Sequence, residues 1–209
     1  MINIKPNLIG IAGNPQVGKN TVGKIILYLI YVEQKEKEGI IPTITLKDFI
    51  EKNITSAYCD WYIKRFDSKF KQINSILEEI INPDVTKEFL QDLQIFLKNN
   101  LHPDTWVNAL FKDYQLQNES SSYLNPYPSI EYPNWIISDL KHDNEFQAIK
   151  DRGGLCIKVI NIEKYTPIPA MLAKTELSLC KFDFIIENDS DIENLVKKVK
   201  EMLEYFKFL

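Results

Sequence analysis

Arginine is nearly missing from this chain: only Arg65 and Arg152 stand among its 25 basic residues. Lysine is a point charge without arginine's planar, two-pronged fork, so an anion site here is built from point charges and backbone. Cysteine is also scarce. Cys59, Cys156 and Cys180 are scattered, with no C-x-x-C pair. That gives no zinc pattern, suits a reducing cytosol and casts each as a small apolar core residue. The two histidines, His102 and His142, lack metal-ligand spacing, and neither is assigned a catalytic role. No apolar run approaches the ~20 residues of a membrane span. Met1 to Lys5 lead straight into an apolar strand, with no leader pattern. The formal net charge of −4 speaks against broad nucleic-acid coating and leaves room for a local cationic pocket. There is no internal repeat and no N-K-x-D guanine signal.

What remains is ordinary globular material, 44% hydrophobic and 26% charged over 209 residues. That length suits one α/β domain with a small lid or insertion, burying about 70% of its unfolded surface.

The informative stretch is near the start. Leu8 to Ala12 is apolar, Gly13-Asn14-Pro15-Gln16-Val17-Gly18-Lys19-Asn20-Thr21 follows, and Val22 to Tyr31 is apolar at helical spacing. Strand, glycine loop and helix form the context in which G-x-x-x-x-G-K-[ST] holds phosphate. Glycine lets successive N–H groups face inward as an anion nest at a helix N-terminus. Lys19 adds a full charge for β- and γ-phosphates. Asn20 occupies the usual hydroxyl position, and the hydroxyl arrives one residue later, at Thr21. The competing reading is an ordinary strand-to-helix turn.

The first strand, 8–12, precedes a helix over 20–37, stopped by Gly39 and Pro42. A short helix around Leu46, Phe49 and Ile50 is expected, then a second strand over 61–66. Asp67-Ser68 caps a helix running to Ile81. Helices are expected over 86–98 and from Pro103-Asp104 through Phe111. Residues 118–134, rich in Ser, Pro, Asn and Tyr, read as an insertion, a lid or a plain connector. A third strand covers 135–138 and ends in Asp139. A helix over 144–152, a strand over 155–162, a helix over 170–180, a strand over 182–186 and a final helix capped by Asp189-Ser190-Asp191 complete the pattern. Strands alternating with helices predict a mostly parallel sheet covered on both faces. Ligands then bind at the C-terminal strand ends. Three polar clusters fall there: the glycine loop, Lys64 to Lys71, and Asp139-Leu140-Lys141.

Phosphoryl transfer needs alignment and charge neutralisation more than covalent help. Lys19 and the loop would hold a donor. Thr21, or a water on Asn20, and Asp139 are candidates for Mg²⁺, with a turn or cap as the alternative for Asp139. Arg65, Lys69, Lys71, Lys87, Lys98 and Lys141 are candidate cations for a second substrate, against a background in which most lysines are solvated surface. Lys71 and Lys141 stand out because they follow strand ends. Trp106 is either a base-stacking ring or core.

Four blocks, in order, resemble the phage-type deoxynucleoside monophosphate kinases, P-loop enzymes that transfer the γ-phosphate of ATP to a dNMP. They are Gly13 to Val22; Trp61-Tyr62-Ile63-Lys64-Arg65-Phe66 with Lys69-Phe70-Lys71; His102-Pro103-Asp104-Thr105-Trp106-Val107; and Ile137-Ser138-Asp139-Leu140-Lys141 with Asn144-Glu145, Ala148-Ile149 and Gly153-Gly154. The tail, Thr175-Glu176 and Phe182 to Asn188, also fits. The resemblance implies a three-layer P-loop NTPase fold and ATP with Mg²⁺ bound by Gly13, Asn14, Val17, Gly18, Lys19, Asn20, Thr21 and Val22. It implies a dNMP site lined by Arg65, Phe70, Lys71, Lys98, Trp106, Asp139 and Lys141, and catalysis by Lys19, Asp139 and Lys141. Lys141 takes the place of the family's phosphate-binding arginine. It also implies a cytoplasmic protein, the host's cytoplasm if phage-encoded, with no membrane or stable nucleic-acid partner; dimerisation is left open.

The chain departs from the family in four places. Asn20 replaces an aspartate, Lys141-His142-Asp143 replaces Arg-Phe-Pro, Leu93-Gln94-Ile95 precedes Lys98 where an arginine is usual, and residues 155–174 contain no arginine. An arginine finger is worth about 10³-fold or more in rate. Two alternatives therefore stand beside the dNMP kinase: a P-loop kinase for another small acceptor such as dephospho-coenzyme A, and a degenerate fold that binds nucleotide without transfer.

Overall fold

The computed structural model of the protein describes residues 6–56, 59–81, 86–115, 117–118, 130–161 and 176–209. In chain order these form β1 (Leu8–Ala12), α1 (Lys19–Lys37), α2 (Leu46–Glu51), β2 (Trp61–Lys64), α3 (Ser68–Ile81), α4 (Lys87–Asn100), α5 (Thr105–Phe111), β3 (Gln117–Asn118), β4 (Ile130–Glu131), β5 (Asn134–Leu140), α6 (Asp143–Lys150), β6 (Leu155–Ile160), a 3₁₀ turn (Glu176–Leu179), β7 (Phe184–Glu187) and α7 (Ile192–Tyr205). Two compact units result, one from Met1–Lys64 with Pro133–Leu209 and one from Arg65–Tyr132.

The first unit carries a five-stranded sheet in the order β2-β5-β1-β6-β7. Every pairing in it is parallel. Alternation along β1 sends its side chains to two different cores. Ile9 and Ile11 join Ile136, Ile157, Val22, Ile25, Leu195 and Val199 in the buried cluster shared with α1 and α7. Gly10 faces the other way: a Cβ there would lie 2.5 Å from Ile149 Cδ1 on α6. Helices therefore cover both faces, consistent with a three-layer α/β fold.

Local signals set the helix ends. Thr45 and Asp48 form a reciprocal capping box at α2. The Asp191 carboxylate accepts the Asn194 N–H at 2.8 Å and starts α7. Some boundaries differ from expectation. The second strand stops at Lys64, because the Ser68 hydroxyl donates to the Arg65 carbonyl at 2.7 Å and turns the chain. The third strand runs on through Asp139 to Leu140, because Ala12 pairs with Leu140 after a bulge in the β1–β5 ladder. The fifth expected strand begins later, at Phe184, leaving Phe182 outside the sheet. Within the expected helix over 170–180, residues 170–175 lie outside the described residues. Residues 176–179 form a single 3₁₀ turn, and Cys180 lies past it. Cys59 and Cys156 are buried as expected; Cys180 is only partly buried, its thiol 3.6 Å from the Asp143 carboxylate.

The second unit is built on α3, α4 and α5. Phe70 is buried there, whereas Ile76 and Ile80 on the same helix are exposed. The segment over 118–134 is framed by an antiparallel β3–β4 pair, Asn118 opposite Ile130; residues 119–129 lie outside the described residues.

Candidate phosphate-binding site

The sheet order places the carboxyl ends of β2, β5 and β1 side by side. The sheet strand that follows β1 in the chain, β2, lies at one edge and the strand that follows β6, β7, forms the other, so the order reverses between β1 and β6, a topological switch point where a crevice forms. An open pocket lies there, lined by Ala12, Gly13, Asn14, Lys19, Leu140, Lys141, Lys158 and Phe182, among others.

The loop between β1 and α1 adopts a conformation that few residues tolerate. Gly13 has φ of 149° and Gly18 φ of 95°. Gln16, with φ of 64°, is left-handed without being glycine. At Gly13 a Cβ would sit 2.4 Å from the Val159 carbonyl oxygen, so the loop backbone lies directly against β6. Gly18 caps α1, and a Cβ there would sit 2.5 Å from Asn188 Nδ2. That same Nδ2 donates to the Val17 carbonyl at 2.9 Å and ties the loop to the end of β7.

Lys19 opens the helix and folds back over the loop. Its ammonium donates to the Gly13 carbonyl at 2.6 Å and the Asn14 carbonyl at 2.8 Å. The first turn of α1 contains no acidic residue, so the positive end of the helix dipole is not offset there. Asn20 is exposed and Thr21 half-buried. The start of α1 packs on the end of β5: a Cβ at Gly23 would lie 3.7 Å from Ser138 Cβ.

Asp139 is 4% exposed, inside β5 rather than beyond it. Leu140 and Lys141, the next two residues, reach the pocket lining. Glu145 holds that corner. Its Oε2 accepts the backbone N–H of Lys141 at 2.7 Å and of His142 at 3.0 Å. Burial pushes the Glu145 carboxyl above the usual carboxylate range, and the nearby Asp139 charge adds to this; the two backbone bonds and His142 oppose the rise. Glu145→Ala is expected to leave two N–H groups without their acceptor and lower stability by about 1–3 kcal/mol. Glu145→Gln keeps an acceptor oxygen and is expected to recover most of it. Urea unfolding of the two variants checks this.

Of the residues singled out from sequence, Gly13, Asn14, Lys19 and Lys141 line one pocket. Val17 is buried beside the loop, and Val22 lies in the core. Arg65, Phe70, Lys71, Lys98 and Trp106 belong to the second unit. There, Arg65 grips Asp67 with two nitrogens at 2.8 and 2.9 Å, and Lys71 reaches the same carboxylate at 3.1 Å. Burial alone would raise the Asp67 carboxyl, but the two cations outweigh it and hold it below the ordinary range. Lys69 pairs with Asp113 at 2.6 Å. Phe70 meets Trp106 edge to face at 5.1 Å. The buried indole N–H of Trp106 and the buried Asn74 Oδ1 have no hydrogen-bond partner among the described residues.

Sequence reasoning passed over Lys158, Phe182 and a role for Asn188. Lys158 did leave a trace, as the one charge inside the apolar run 155–160. Phe182 and Asn188 carry no such signal, because their neighbours in space are remote in sequence.

Among the described residues, no helix is long and apolar enough to cross a membrane. No family model and no curated protein matches the sequence, so the functional reading rests on the site itself.

Proposed function

We propose that this chain is a P-loop nucleotide kinase that transfers the γ-phosphate of ATP to a deoxynucleoside monophosphate. One observation carries the reading. A left-handed glycine loop joins the first strand to a helix whose first residue is Lys19, at the sheet's switch point, with Lys141 lining the same pocket. Loop N–H groups at a helix N-terminus, plus a lysine, suit the β- and γ-phosphates of a nucleotide. On binding, Lys19 exchanges the Gly13 and Asn14 carbonyls for phosphate oxygens. Lys141, fixed by Glu145, offers a second cation to an acceptor phosphate.

Mg²⁺ arriving with the nucleotide would supply charge neutralisation on the phosphates. Such an ion uses one or two protein oxygens and completes its shell with phosphate and water. We assign that role to the Thr21 hydroxyl, in the first turn of α1, and the Asp139 carboxylate, near the end of β5, on elements that meet at Gly23 and Ser138. Within the second unit, the edge-to-face rings of Phe70 and Trp106 are the proposed contact for the base of the acceptor.

The test is ADP release with ATP and Mg²⁺ against dAMP, dCMP, dGMP and dTMP. Turnover on at least one of them is expected. ATP protection against heat without turnover on any acceptor would select the second reading, nucleotide binding without transfer. Asn20, in a first helical turn with no carboxylate, is the observation that favours this alternative. Turnover only on a different acceptor, such as dephospho-coenzyme A, would keep the fold assignment and replace the substrate.

A further inference from the structure

The pocket holds a third lysine that the kinase reading leaves unused. Lys158 sits in β6, in register beside Ala12, the last residue before the glycine loop. Its neighbours Ile157 and Val159 are fully buried in the cluster shared with α1 and α7. Alternation therefore turns Lys158 to the opposite face, where it lines the pocket with Lys19 and Lys141. Its ammonium lies 5.5 Å from the centroid of the Phe182 ring, which restrains the side chain without neutralising it.

Among the described residues, no acidic side chain lines the pocket. Neither Lys141 nor Lys158 forms an ion pair with a described carboxylate, whereas Lys150 and Lys198, close in space to β7, are paired with Asp183 and Asp189. A half-buried cation in a strand is costly unless something compensates it. Three lysines around one cavity, in a chain of net charge −4, are complementary to a multiply charged anion.

We propose that Lys158 is a phosphate-binding residue whose ammonium contacts the polyphosphate chain between donor and acceptor. The assignment rests on the reading of the glycine loop as a phosphate site. In the transfer, an acceptor phosphate oxygen forms a new P–O bond to the γ-phosphorus as the bond to the leaving ADP oxygen breaks. Lys158 keeps its protons throughout and offsets the charge spread over the γ-oxygens.

Binding of inorganic tripolyphosphate by calorimetry, on wild type, Lys158→Met, Lys158→Gln and Lys158→Arg, tests this without requiring turnover. Methionine keeps an unbranched stem against Phe182 while removing the charge; glutamine is the second neutral variant. Both are expected to weaken tripolyphosphate about 10- to 100-fold, the range of a charge-assisted hydrogen bond. Arginine is expected to restore most of the loss. In the nucleotide assay the neutral variants should lower kcat more than they raise KM for ATP. Unchanged tripolyphosphate affinity in both neutral variants, or no binding by wild type, overturns the assignment. Lys158-dependent tripolyphosphate binding with no turnover on any dNMP keeps it and rejects the kinase reading.

Discussion

Lys19→Ala is expected to lower kcat/KM for ATP-dependent transfer by about 10²- to 10³-fold, the loss found when one preorganised charge donor is removed from a transition state. The ammonium now rests on the Gly13 and Asn14 carbonyls at 2.6 and 2.8 Å. Two effects follow, and they separate. In the absence of nucleotide, the variant loses two charge-assisted hydrogen bonds at a partly buried site, a cost of about 1–3 kcal/mol. With nucleotide, it also loses the charge facing the phosphates. Heat protection by ATP should therefore shrink more than the unliganded midpoint falls. Lys19→Arg is not a rescue, because a planar fork does not fit a nest shaped around a point charge. Equal ATP protection in wild type and Lys19→Ala would remove Lys19 from the phosphate site.

Gly13→Ala is expected to be the most damaging single-methyl change in the loop. The new Cβ would meet a backbone oxygen, Val159 O, at 2.4 Å, and Val17 Cγ2 at 2.9 Å. Neither contact is relieved by a rotamer change at a flexible tip, and φ of 149° is a region that L-residues rarely adopt. Backbone strain of about 1–3 kcal/mol adds to overpacking of about 1–3 kcal/mol. In a chain of this length, each kcal/mol lowers the midpoint by roughly 2–4 °C. A drop of about 5 °C or more is the expected calorimetric result, together with loss of ATP protection. Gly10→Ala is the informative comparison. Its Cβ would also meet an atom at 2.5 Å, but that atom is the Cδ1 tip of Ile149, which can move. Gly10→Ala is expected to be milder and to leave nucleotide binding intact. Equal destabilisation by the two substitutions would show that the close approach of the loop to β6 is not the controlling feature.

Much of the architecture is written in short-range pattern. The strand of Leu8–Ala12 and the helix of Lys19–Lys37 follow from an apolar run, a glycine break and helical spacing. Asp191 and Thr86 start their helices by bonds that span three residues. Such features depend on neighbours within one helical turn or one strand, and a sequence shows those directly. The glycine loop is legible for the same reason, since Gly13, Gly18 and Lys19 lie close together in the chain.

The pocket is a different matter. Its walls come from residues 12–15, 19, 140–141, 158, 177 and 182, and only the strand order β2-β5-β1-β6-β7 brings them together. Lys158 enters the site because β6 pairs with β1, placing it beside Ala12. Asn188 reaches Val17 across 171 positions of sequence. Asp139 belongs to a strand interior because Ala12 extends the ladder to Leu140. The chain by itself determined an alternating α/β pattern and a glycine-rich turn between its first strand and first helix. Tertiary structure decided which lysines share that turn's pocket, because long-range strand pairing, not local periodicity, sets the distances between charges.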